Sequence, residues 1–292
     1  MGDMGTTMMA HRTGIGAPGS GIRRPAGTVA VMMITSSAAS GLPGWRRLLG
    51  VTGLVLVLVC LLPPLDMLAR RYVFAESLQF CVFAMAGPAL IVLGAPWRFL
   101  HLSGAAGRLA AARRDNRSFG RAAVFLIAFV AVCLAWRLPP AMDALARQPA
   151  LVVPEALTLL AVGAGLWLEL VDSPPIAPRL PRPGRAAVAA LAMWSTWAVA
   201  YVLGFASHAI FHAYDAAGSG LSAVADQEIS VGLVWAVAGA CFVPVVITSM
   251  LGWLAGGDDA DEEFQRVFRD ENQRATVRGW GARPRRRPTS SA

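Results

Sequence analysis

Two histidines, His208 and His212, stand four residues apart, and Asp215 follows three residues later. On a helix continuing through this stretch, the three would share one face. Glu76 and Gln79, three apart, share a face in the same way. Glu155 follows Pro154 within an apolar run, and Asp226, Gln227 and Glu228 open another. Two imidazoles supported by carboxylates suit a divalent ion such as copper(II) or zinc, whereas copper(I) prefers thiolate or thioether donors. A plainer role is open to most of these groups. Acidic residues at helix N-termini cap free amides and complement the macrodipole, and histidines are common at the edge of apolar segments. Glu155 resists that reading, because an ionisable group inside an apolar run is costly and is usually retained for function. The stretch GFASHAIFHAYDAAGSGLSAVADQE contains no arginine, so no cation nearby in sequence offsets its carboxylates.

The elements that must hold these residues are membrane spans. Of 292 residues, 55% are hydrophobic, and the mean hydropathy is +0.53, too apolar for an ordinary soluble domain. Six runs approach the roughly 20 residues a spanning helix needs: 48–65, 74–96, 122–136, 151–170, 186–205 (with a helix running on to 214) and 229–254. The expected fold is an all-α polytopic membrane bundle over 45–255. A disordered segment at 1–44 precedes it and a charged cytoplasmic tail at 256–292 follows it.

Orientation follows from arginine. The chain has 26 arginines and no lysine; the segments before, between and after the six runs carry five, two, six, two, three, none and eight. That places 22 on one side and four on the other. Basic loops stay cytoplasmic during insertion, so both termini are expected inside a bacterial plasma membrane and these carboxylates and histidines near its outer face. The same charge accounts for a pI near 10.5 through contact with anionic lipid, and nucleic acid is not an expected partner. Glu169 and Asp172, at the inner end of the fourth run, are expected to snorkel or to pair with inner arginines. Trp97, Trp136, Trp167 and Trp253 read as interfacial anchors. Cys60, Cys81, Cys133 and Cys241 lie in apolar runs without a CxxC pair and imply no disulfide framework. No phosphate loop, GxSxG elbow, HExxH or nucleotide fingerprint is present.

Three stretches carry a resemblance: AESLQFCVFAMAGPALIVLGAPW, PALVVPEALTLLAVGAGLWLELV and AVADQEISVGLVW. In that order they resemble the signatures of CtaG-type cytochrome c oxidase assembly factors, membrane proteins implicated in copper delivery and usually built of seven spans. The resemblance implies a non-enzymatic role, oxidase subunits as partners and copper as the metal. It retains Gln79, Glu155, Asp226, Gln227 and Trp235, but Glu76, Phe80, Val152 and Ala156 stand where the family carries histidines. If copper is bound, the expected ligands are His208 and His212, with Glu76, Glu155 and Asp226 assisting. Three other classes compete. A solute or ion transporter would need ionisable groups near the midplane and paired repeats. A membrane-embedded metal-dependent hydrolase would need three firm ligands and a base. A scaffold would bind no metal.

Overall fold

A computed structural model describes residues 44–98, 102–115, 119–204, 208–214 and 221–256. The N-terminal segment and the tail lie outside the described residues, and the expectations of disorder and charge placed on them lie there too.

The first apolar run forms α1 (Gly44–Cys60) and stops short of its expected end. Pro63 and Pro64 cause the break. Leu62 is extended (φ −76°, ψ 147°), because a residue before proline is pushed out of the helical region. The chain resumes as α2 (Pro63–Ala69), bent 63° from α1. The second run is one span of three pieces: α3 (Val73–Cys81), a π-turn (Val82–Ala86) and α4 (Gly87–Gly94). An arginine-bearing helix, α5 (Ser103–Asp115), comes next, where the sequence suggested only a loop. Helix α6 (Phe119–Arg137) is followed by a short amphipathic helix, α7 (Pro139–Arg147), also not expected. Helices α8 (Val152–Leu170), α9 (Arg182–Gly204) and α10 (Ala223–Gly256) complete the bundle. Among the described residues, five helical stretches are long and apolar enough to cross a membrane, and the bent α1–α2 pair, counted as one span, brings the number to six. The chain is an all-α polytopic membrane protein.

One expectation fails at the end of α9. The helix was to run on to Tyr214, but it ends at Gly204. Residues 208–214 contain a bend and a single 3-10 turn, His212–Tyr214.

Lipid contributes no hydrophobic drive between helices, so they associate through close packing and polar contacts. A β-carbon on Gly94 would sit 2.3 Å from the Gly50 α-carbon, which is how closely α4 lies on α1. One on Gly163 would sit 2.4 Å from the Ala84 carbonyl oxygen, where α8 crosses the π-turn. The centre holds Trp167 stacked on Phe242 at 5.3 Å, with Phe129 edge-on to Phe242 at 6.2 Å. Trp167 is therefore a core residue and not an interfacial anchor: it is 1% exposed. The outward faces carry exposed Leu54, Ile127, Leu157, Val202 and Leu251, as a lipid-facing surface should.

At one end of the bundle, Glu169 of α8 is buried and receives Arg113 of α5 at 2.7 Å and Arg121 of α6 at 2.7 Å. The expected pairing of Glu169 with arginines on that side is present. Arg113 also donates to the Leu168 carbonyl, and burial pulls its guanidinium below the ordinary arginine value while Glu169 opposes that shift.

The glycine contacts give a direct test. Gly163→Val should lower the melting temperature in detergent, with an overpacking cost of about 1–3 kcal/mol. Gly232→Ala should leave it unchanged, since nothing lies within 4 Å of a β-carbon there.

Candidate functional site

The other end of the bundle collects the ionisable residues. Glu76 sits in the first turn of α3, where an acidic group complements the helix dipole, yet it is 3% exposed and has to be balanced. The balancing cation is Arg137, the last residue of α6. Its Nη1 donates to Glu76 Oε2 at 2.7 Å and to Ser77 Oγ at 2.9 Å. The guanidinium lies 4.2 Å from the centre of the Phe80 ring, a cation–π contact strengthened by the absence of water. The Met142 sulfur of α7 is 3.8 Å from Nη1.

Glu155 of α8 is 1% exposed. Its carboxyl lies beside that of Glu76 and within electrostatic reach of Arg137. Glu76, Gln79, Glu155, Tyr214, Asp66 and Arg70 line one small cavity, with room for about one ordered water. Four buried polar atoms of those residues lack a protein partner: Glu76 Oε1, Glu155 Oε1, the Tyr214 hydroxyl and Arg70 Nε. Burial, reinforced by the nearby Glu76 charge, pushes the Tyr214 hydroxyl far above the ordinary tyrosine value, so it stays a neutral donor.

The remaining candidates hold the helices at this end together. Asp226 of α10 accepts the amides of Val73 and Phe74 at 2.8 Å each. It caps the N-terminus of α3, a neighbouring helix and not its own. Gln227 donates to the Leu203 carbonyl at 2.7 Å and accepts the Ile210 amide at 3.1 Å, tying residues 208–214 to the end of α9. Gln79 donates to the Cys60 carbonyl, freed where α1 breaks. Ser230 and Ser77 join α10 to α3 through their hydroxyls. Trp235 stacks on Trp197 at 5.0 Å. Asp143 of α7 accepts the Ala213 amide at 3.0 Å, docking the 3-10 turn.

Glu76, Glu155, Gln79, Asp226 and Gln227 are thus brought to one end of the bundle. His208 and His212 are not brought into the cluster. Both are exposed and lie outside any common helix, because α9 ends before them; Asp215 is outside the described residues. Arg137 did not emerge from the sequence as a site residue, since it counted only toward the topology of its loop. A signal was nonetheless there. A glutamate inside an apolar span requires a partner, and Arg137 and Arg147 are the two arginines between the third and fourth runs.

The model of the cytochrome c oxidase caa3 assembly factor family (Caa3_CtaG) matches residues 28–255. That match covers most of the chain. The chain belongs to this family. No curated protein and no solved structure matches it.

In this Caa3_CtaG protein the buried cluster does not fit copper. The positions where the resemblance places histidines hold Glu76, Phe80, Val152 and Ala156, which offer one carboxylate and no imidazole. That carboxylate is already engaged by the Arg137 guanidinium. Among the described residues, no group of three or more His, Cys, Asp or Glu side chains is arranged to hold a metal ion. The cation that Glu76 meets there is the Arg137 guanidinium.

The ion pair is testable by a double-mutant cycle. Arg137→Met leaves Glu76 buried without its cation and should destabilise the protein by about 3–5 kcal/mol in detergent unfolding. Adding Glu76→Gln should recover most of that loss. A double-variant loss equal to the sum of the Arg137→Met and Glu76→Gln losses would mean that the pair is not coupled.

Proposed function

We propose that this protein assists cytochrome c oxidase maturation as a non-catalytic, multi-pass factor of the plasma membrane, with both termini cytoplasmic and the Arg137 end facing outward. In this reading it presents a preformed outer surface to oxidase subunits around the time copper is inserted, and holds no resident copper within its helices. The observation that carries the reading is the buried Arg137–Glu76 pair at 2.7 Å, which sets a fixed cation against the Glu76 carboxylate. The orientation is supported by the 22-to-four division of arginines. Family membership supports the oxidase as the target.

The transporter and hydrolase alternatives gain no support from this arrangement. The ionisable groups gather at helix ends away from the midplane, and the buried cluster supplies no three-ligand set. Should copper be handled in transit, the donors on hand are the exposed imidazoles of His208 and His212, with Asp226 committed to its cap and Glu76 to Arg137.

Two measurements test the proposal. Deleting the gene should lower spectroscopically active oxidase while its subunits remain present, and unchanged oxidase activity would remove the assembly role. Purified protein passed through gel filtration after copper exposure should retain no stoichiometric copper, with or without His208→Ala/His212→Ala. Stoichiometric copper in the wild type that disappears in the double variant would return a metal site to the 208–212 stretch and overturn the metal-free reading.

A further inference from the structure

The end of the bundle that carries α5 gathers more cations than its buried carboxylate balances. Glu169 Oε1 accepts from Arg113 Nη2 and from Arg121 Nε at 2.7 Å each, and its Oε2 accepts from Arg121 Nη2 at 3.1 Å. Arg179, on the linker between α8 and α9, lies within electrostatic reach of Arg113. Three guanidiniums thus stand around one carboxylate. Burial, with the charges of Arg121 and Arg179 added to it, pulls Arg113 below the ordinary arginine value, and Glu169 offsets this only in part. Among the described side chains, Asp172 is the other acid on this side, and it is exposed to solvent, where its pull is screened. The Arg121 side chain is 14% exposed and Arg179 is half-buried, so the cluster is reached from the surface.

Helix α5 narrows the kind of anion that completes this charge. Ala106, Ala110 and Arg113 recur at four- and three-residue steps and are buried. Leu102, Ala105, Leu109 and Ala112 recur at three- and four-residue steps on the adjoining face and stay exposed, Leu102 by 53% and Leu109 by 45%. Arg108 is exposed on the side away from the buried stripe. The Leu102 amide donates to the Trp97 carbonyl at 2.9 Å, and the Trp97 indole donates to the Pro174 carbonyl at 2.8 Å. The helix therefore starts where a tryptophan marks the bilayer boundary. A helix with an apolar flank and a cationic back at that level lies in the interface plane. Free phosphate would meet the guanidiniums and leave both leucines in water, whereas a phospholipid answers both. We infer that this end of the bundle binds one anionic phospholipid, its phosphate diester accepting from the guanidiniums around Glu169 and its acyl chains covering Leu102 and Leu109. A phosphate diester offers two charged oxygens that match a guanidinium fork, and basic pockets between spans on the cytoplasmic side take such headgroups. The inference does not rest on the assembly role, and either stands if the other fails.

Native mass spectrometry of the full chain in detergent, titrated with dioleoyl phosphatidylglycerol or dioleoyl phosphatidylcholine, tests it. The anionic lipid should bind about tenfold more tightly than the zwitterionic one with the same chains, as expected for one added hydrogen bond to a charged group. Arg179→Gln should remove most of that preference, and Leu109→Asn should weaken binding of the anionic lipid severalfold. Arg47→Gln, which takes an equal charge from α1 on the same side, should leave the preference intact, as should Arg147→Gln at the opposite end. Inorganic phosphate at millimolar concentration should not displace the lipid; displacement would make this a free-phosphate site and overturn the lipid assignment. Equal binding of the two lipids, or the same loss from Arg47→Gln as from Arg179→Gln, would reveal diffuse attraction and overturn the inference. The lipid comparison and the phosphate competition use the wild-type protein, so they decide the matter even if Arg179→Gln fails to fold.

Discussion

The Arg137–Glu76 pair governs which helices stand beside one another at its end of the bundle. In a bilayer the apolar faces of α3 and α6 would be about as well accommodated by lipid as by each other, so hydrophobicity alone does not choose between arrangements. A buried guanidinium and a buried carboxylate do choose. Each is costly alone at that depth, and removing water between them turns the cost into a demand for one particular neighbour. Ser77, Phe80 and Met142 complete the guanidinium's surroundings from α3 and α7. The pair therefore contributes more to specificity than to net stability, as buried ion pairs commonly do.

The same logic recurs at the opposite end. Glu155 and Glu169 lie 14 positions apart on α8, roughly 21 Å along the helix axis. Arg121 and Arg137 lie 16 apart on α6, roughly 24 Å. Two packed helices thus carry glutamates at both ends of one and arginines at both ends of the other. Glu169 meets Arg121 directly, and Glu155 reaches Arg137 through the adjoining Glu76 carboxyl. The apolar core of Trp167, Phe242 and Phe129 fills the length between these two polar fastenings. A slip of α6 against α8 by one turn would strand charges at both ends simultaneously, so the register is held more firmly than either contact alone would hold it.

How much of this was legible follows from the kind of signal each feature leaves. Spans announce themselves as apolar runs, and α6, α8, α9 and α10 were readable within a few residues at most ends. Helix α5 was not, because SGAAGRLAAARRD has helix-forming alanines and arginines but no apolar run; its reason for existing is Glu169, far away in sequence. Glu155, Asp226 and Gln227 were recognisable as polar groups in apolar surroundings, while their roles depended on partners contributed by other helices. The Asp226 cap illustrates this: the residue type correctly suggested capping, but the helix it caps begins at Val73. His208 and His212 misled for the opposite reason. A spacing of four carries meaning only on an unbroken helix, and residues 208–214 hold a bend and a 3-10 turn instead.

Replacing a metal's donors with a guanidinium changes how a pocket is completed. A site organised by a metal reaches its final form only when the ion is bound, so its order follows the supply of metal and the protonation of its ligands. Arg137 arrives covalently attached to α6, and the cluster closes as soon as α3, α6 and α8 meet. The neighbouring features fit a site built to stay assembled: Asp226 pins the start of α3 from α10, Gln79 secures the break in α1, and Asp143 docks the turn that carries Tyr214.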